Sequence, residues 1–230
     1  MSGGSEREKK IGLLILTVFI AVTDYLWSFW YFRSRYSTGT LLSISQVSAE
    51  NLGNMLFQNV AVNLITLLTA AILWLILRRD FGKILGFVGG NRRGHLAAGI
   101  AGGIYALLLV AALVWSGISV LALVYQWIYF LVLVALSEEF LFRAVFPWLM
   151  EKSRLPSWCV WIVPGILFGA AHTLVPLVKF GASTLLPELL SGVAGYVLAS
   201  CGFYALRRWS GTIWLPVFIH AALDFTGILV

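Results

Sequence analysis

Long stretches almost free of charge decide what this chain can become. Residues 11–30, 56–77, 96–115, 120–150, 157–175, 186–206 and 212–230 are apolar nearly throughout. A helix needs roughly 20 residues, at about 1.5 Å each, to cross a hydrocarbon layer, and each run reaches or approaches that length. Backbone groups cannot stay unpaired in lipid, so a spanning chain must form helices or a closed barrel. The alternating pattern of a membrane barrel is absent. The expected fold is therefore all-α: a polytopic membrane helix bundle of about seven transmembrane helices, with residues 1–230 forming a single membrane domain. Only 11% of the residues are charged, against about a quarter in soluble domains. That is too little polar surface to face water on all sides, so a soluble globular fold is excluded.

The basic residues set an orientation. With the N-terminus inside, twelve fall on the inner side: Arg7, Lys9, Lys10, Arg78, Arg79, Lys83, Arg92, Arg93, Lys152, Arg154, Arg207 and Arg208. Only Arg33, Arg35 and Lys179 fall outside. This asymmetry predicts a cytoplasmic N-terminus in a multi-pass protein of a prokaryotic cell membrane. The net charge of +6 is spread between apolar runs, so it points to loops at a bilayer surface and not to nucleic acid. Cys159 and Cys201 stand alone in apolar surroundings without metal-ligand spacing. The first run is too long for a signal-peptide core and reads as a retained anchor. The connection 31–55 is the longest on the outer side, and either covers the mouth of the bundle or merely links. Gly99 with Gly103, Gly165 with Gly169, and the stripe Ser191, Gly195 and Ala199 predict close helix contacts.

Ionisable residues inside spans are costly and mark function. Glu138, Glu139 and Arg143 lie in the fourth run, His172 in the fifth, and His220 and Asp224 in the seventh. Glu139 and Arg143 are four apart and share a helix face, as an ion pair would. Glu138 is rotated about 100° from Glu139, which leaves it facing elsewhere without an evident partner. His220 and Asp224 are also four apart. Two histidines and two acids on three spans can act as general base, orienting group and oxyanion stabiliser around one water. The same four side chains would equally suit zinc. Asp24, Gln58, Asn59 and Asn63, in the first two runs, are expected to pair with one another.

Three segments carry a family resemblance. Glu138-Glu139-Phe140-Leu141-Phe142-Arg143 resembles the EExxxR motif of the CPBP family, the CAAX prenyl endopeptidases and bacteriocin-processing enzymes also called Abi. Phe168-Gly169-Ala170-Ala171-His172 resembles its FxxxH motif, and His220-Ala221-Ala222-Leu223-Asp224 its HxxxN/D motif. The resemblance covers residues 120–230, leaving 11–119 as three spans and their loops without family signal. It implies a glutamate-dependent intramembrane endopeptidase in which Glu138 and His172 activate water. His220 and residue 224 would stabilise the oxyanion, and Glu139 and Arg143 would support the site. No cofactor and no metal are implied. Prenyl-protein-processing members carry Asn at the last position, where this chain has Asp224. An ionised Asp cannot donate a hydrogen bond; either Asp224 is protonated, or it orients His220 and leaves the oxyanion to that residue.

The first expectation is thus an endopeptidase acting on a membrane-associated protein or peptide in the bilayer. The alternatives are a non-proteolytic immunity or partner-binding protein of the same fold, and a zinc-dependent membrane hydrolase. A transporter would show repeated halves with broken helices, and no such repeat is present. Substrate identity and oligomeric state are not readable from these residues. Two of the three helices bearing the polar set place it in the outer half of the membrane, which predicts entry of substrate from outside. With Cys159 and Cys201 replaced, single cysteines beside His172 and Asp224 are expected to react with an impermeant thiol reagent in intact cells. Reaction only after the inner face is exposed would reverse the side.

Overall fold

The computed structural model describes residues 3–227, and those residues are helical with short connections. The main helices are α1 (Gly3–Ser37), α2 (Leu52–Val62), α3 (Leu64–Leu77), α4 (Arg92–Trp115), α5 (Val120–Lys152), α6 (Ser157–His172), α7 (Leu174–Phe180), α8 (Leu185–Ser210) and α9 (Trp214–Gly227). Among the described residues five stretches are long and apolar enough to cross a bilayer: Ile11–Ser37, Arg92–Trp115, Val120–Lys152, Ser157–Phe180 and Leu186–Ser210. A sixth is assembled from α2 and α3 with its short continuation, bent by 61°. The seventh expected run appears as α9, 14 residues long. Residues 228–230 of that run lie outside the described part. At about 21 Å, α9 is shorter than the hydrocarbon core. It is a core element, with Val217, Ala221 and Phe225 fully buried.

Close packing follows the small residues, but only some of those expected. A Cβ at Gly165 would lie 2.9 Å from the Cα of Val197, and one at Gly169 3.3 Å from the Cα of Val193. The α6 glycine pair therefore receives the β-branched side of α8. The expected α8 stripe faces the other way: Gly195 has nothing within 4 Å of its built Cβ and Ala199 is exposed, while the Ser191 side chain lies outside what is described. Gly99 and Gly103 are equally open, and it is Gly102 that meets a neighbour, Phe218 of α9. Spacing shows that a face is smooth, but the partner helix decides which smooth face is used.

At the basic end the helices are tied by backbone. Asn91 caps α4 by accepting from the Gly94 N–H at 2.7 Å and donates its Nδ2 to the Trp209 carbonyl at 2.7 Å. The Asn91 N–H bonds the Ser210 carbonyl at 3.2 Å. Gly86 accepts from the Ile213 N–H at 2.9 Å and the Thr212 hydroxyl at 3.1 Å. At the opposite end the 38–51 connection folds onto the bundle. Gln58 holds Leu42 by both backbone groups, at 2.9 and 2.8 Å, and Gln126 donates to the Ile44 carbonyl at 3.2 Å. Val47 is buried with Met55 and Tyr125. The long connection is a cover, not a plain linker.

A Cβ at Gly94 would fall 2.2 Å from the Ser210 carbonyl oxygen and 2.6 Å from its Cα. Gly94→Ala should therefore force α4 and α8 apart and cost about 1–3 kcal/mol, read as a lowered Tm in detergent. Gly103→Ala, in open space, should leave Tm unchanged or raise it; equal losses at both positions would contradict the packing described.

Candidate active site

Two π-helical stretches in α5, Tyr129–Leu136 and Glu139–Val145, meet at the two glutamates: Glu138 lies between them and Glu139 opens the second. A π turn widens the helix and loosens its carbonyl pairing, a feature concentrated at functional sites. The Ser137 hydroxyl takes up that slack by donating to the carbonyls of Leu133 at 2.7 Å and Val134 at 3.0 Å. The helix can therefore turn both Glu138 and Glu139 toward the interior without leaving these carbonyls bare in an apolar medium.

Glu139 and Arg143 are both fully buried, with Arg143 Nη1 3.4 Å from Glu139 Oε1. The contact is electrostatic: none of the guanidinium nitrogens has a hydrogen-bond partner among the described residues. Two aromatic faces complete its surroundings, with the Arg143 Cζ 4.1 Å from the Phe168 ring centre and 5.3 Å from that of Phe203. Cations gain from such faces most when desolvated.

Glu139 has a second task. His220 Nδ1 lies 2.8 Å from Glu139 Oε1, so an N–H there donates to the carboxylate. The other ring nitrogen, Nε2, lies 3.5 Å from both Glu138 Oε2 and Asp224 Oδ2. The Phe203 ring stacks on the imidazole at 5.1 Å and 18°. Orientation of His220, which the sequence left as a task for Asp224, thus comes from Glu139 through the shorter contact. Asp224 stands at the opposite edge of the ring. His220 is held by three carboxylates from two helices, which compensates an imidazolium charge.

His172 reaches the site from the end of α6. Its Nδ1 lies 2.9 Å from the Phe168 carbonyl, which can only accept, so the neutral ring carries its proton there and leaves Nε2 as a base. Phe168 and Tyr196 flank the ring with centres 4.4 Å away on each side. Glu138 and His172 line one cavity of 370 Å³ with no hydrogen bond or ion pair joining them. Glu138 Oε2 has no hydrogen-bond partner. That oxygen is buried against His220 Nε2, while the Glu138 and His172 side chains both border the cavity volume. His220 contacts Glu138 and Asp224 contacts His220, but neither lines this cavity. Among the described residues no three His, Cys, Asp or Glu side chains are grouped as a metal ion requires.

The far wall of the cavity comes from outside the motifs. Asp24, Ser28 and Phe32 of α1 and Thr66 of α3 face Glu138 and His172. Asp24 lines the cavity with Thr66, and the amides with which it was expected to pair bond elsewhere. Gln58 is engaged by Leu42, Asn59 donates to the Tyr125 hydroxyl at 2.7 Å, and Asn63 donates to the Asn59 carbonyl at 2.9 Å. An acid in the middle of a span was signal enough to find Asp24; nothing in the sequence pointed to Phe203 or Tyr196. Toward the 38–51 cover the cavity adjoins a second one of 490 Å³, sharing Phe32, Val62, Asn63, Tyr129 and Val175 with it.

Comparison with known families matches residues 120–226 to the model described as type II CAAX prenyl endopeptidase Rce1-like. No curated protein and no solved structure matches the chain.

Breaking a buried pair leaves an uncompensated charge, at a cost of about 3–5 kcal/mol. Glu139→Ala and Arg143→Ala should each lose stability on that scale. The double variant should lose less than the sum, by about 0.5–3 kcal/mol. Additive losses in a denaturation cycle would mean that the two side chains do not interact.

Proposed function

We propose that this chain, which belongs through residues 120–226 to the type II CAAX prenyl endopeptidase Rce1-like family, hydrolyses a peptide bond of a membrane-associated protein or peptide with a water activated by Glu138 and His172. The carrying observation is the cavity that the Glu138 carboxylate and the His172 ring line together, with His172 Nδ1 turned to the Phe168 carbonyl. Alternatives in which the chain only binds a partner give no reason for a carboxylate and an imidazole to line one cavity in lipid, where each is expensive.

The chemistry runs as a general-base hydrolysis. Glu138, assisted by His172, takes a proton from water as its oxygen bonds to the scissile carbonyl carbon. The carbonyl oxygen becomes an oxyanion, stabilised by His220 in its protonated form, which Glu139 and Asp224 flank at 2.8 and 3.5 Å. As the tetrahedral intermediate collapses, the C–N bond breaks and Glu138 returns its proton to the departing amine. Glu139 is the orienting carboxylate, and Arg143 balances it from behind. Asp224 then acts as an electrostatic partner of His220 and need not donate a hydrogen bond. Substrate approaches from the end of the bundle that carries the 38–51 cover, where the adjoining cavity is lined by Tyr36, Gly39 and Lys179.

Glu138→Gln keeps shape and removes the base. It should insert and unfold like the parent while turnover of a membrane-anchored reporter falls by about 10²–10⁴-fold. Near-normal turnover would remove Glu138 from the role. Chelation should have no effect; loss of activity on chelation with recovery on zinc would favour a metal hydrolase built on the same residues.

A further inference from the structure

A second polar site lies at the basic end of the bundle, away from the reaction cavity. It is a pocket of 240 Å³ lined by Lys83, Gly86, Glu151, Tyr204, Arg207, Arg208 and Gly211. Three cations face one anion there, and that anion is already engaged. Glu151 accepts from Arg208 at 3.1 Å and from the Tyr204 hydroxyl at 2.9 Å. Arg207 and Lys83 are left without an acidic partner in the pocket. Among the described residues the Arg207 guanidinium makes one long hydrogen bond, 3.5 Å to the Ile84 carbonyl, and its buried Nε has no hydrogen-bond partner.

Glycine keeps the guanidinium edge open. Gly86 has φ +82, and a Cβ there would stand 3.4 Å from Arg207 Nε and 3.5 Å from Nη2. A planar donor fork with unfilled N–H groups, a nearby ammonium and bare glycine backbone is the arrangement that receives a phosphate oxyanion. Its position matters as much as its charge. Arg207 and Arg208 close the span Leu186–Ser210, Glu151 closes Val120–Lys152, and Lys83 sits in the turn after α3. The pocket therefore lies at headgroup depth, where basic pockets between helices take anionic lipids.

We propose that this pocket binds the phosphate of an anionic phospholipid headgroup, one lipid per chain. This rests on the pocket alone and is independent of the proteolytic reading. The bound lipid joins the ends of α5 and α8 and the turn after α3 through a single charge.

The test is native mass spectrometry of the full chain in detergent, titrated with dioleoylphosphatidylglycerol, with dioleoylphosphatidylcholine and with inorganic phosphate. One phosphatidylglycerol should be retained per chain, at least fivefold more tightly than phosphatidylcholine. Lys83→Gln and Arg207→Gln should each weaken it about fivefold. Arg79→Gln, an exposed basic residue at the same end but outside the pocket, should leave it unchanged. Failure of millimolar inorganic phosphate to displace the lipid supports the headgroup as ligand; displacement at that concentration would assign the site to free phosphate and overturn the lipid proposal. Equal weakening by Arg79→Gln and Lys83→Gln would reduce the effect to general surface charge and overturn it as well. Lys83 is exposed on a short helix, so its variant remains informative even if Arg207→Gln fails to fold.

Discussion

The arrangement depends on keeping one guanidinium charged where there is no water. Arg143 is completely buried, and the bundle must balance it internally because an isolated cation in a low-dielectric interior is prohibitive. Glu139 supplies the opposite charge, Phe168 and Phe203 supply the faces, and these come from α5, α6 and α8. The same Glu139 oxygen that meets Arg143 also holds His220 on α9. One ion pair thus clamps four helices about a point and, in doing so, orients the imidazole. Stability and site geometry are carried by the same atoms.

Adjacent glutamates consequently have opposite circumstances. Glu139 is sealed, at 0% exposure, while the Glu138 side chain retains 25%. A one-residue offset on a helix turns a side chain by about 100°, enough to place one carboxylate in the interior and the next against a cavity. Glu138 lies between two π stretches and Glu139 opens the second, so the helix is widened where both acids sit.

The division between these glutamates was legible in the sequence, because the Arg143 spacing marks Glu139 as the paired acid and leaves Glu138 over. The helical class was legible too, since apolar runs of that length admit little else. Only two of the three helices bearing the polar set agreed on its depth, yet Glu138 Oε2 lies 3.5 Å from His220. Linear depth assumes straight, regular, upright helices, and α5 is neither regular nor confined to the hydrocarbon thickness at 33 residues. Nothing in single-residue propensities marks a π turn. The aromatic packing around Arg143 was half visible: Phe168 lies in a motif, whereas Phe203 is one apolar residue among many in α8. The smooth faces of α4 and α8 misled because a glycine row says only that a partner can approach.

The cavity is a composite of two stretches of chain. Glu138 and His172 lie within residues 120–226, the part matched to the family; Asp24, Ser28, Phe32 and Thr66, which face them, lie before it. Under the proposed hydrolysis, the wall that carries Glu138 and His172 and the wall that faces it belong to separate stretches of chain. Exchanging the first 119 residues between two such proteins would then, on that proposal, replace the facing wall and leave Glu138 and His172 in place.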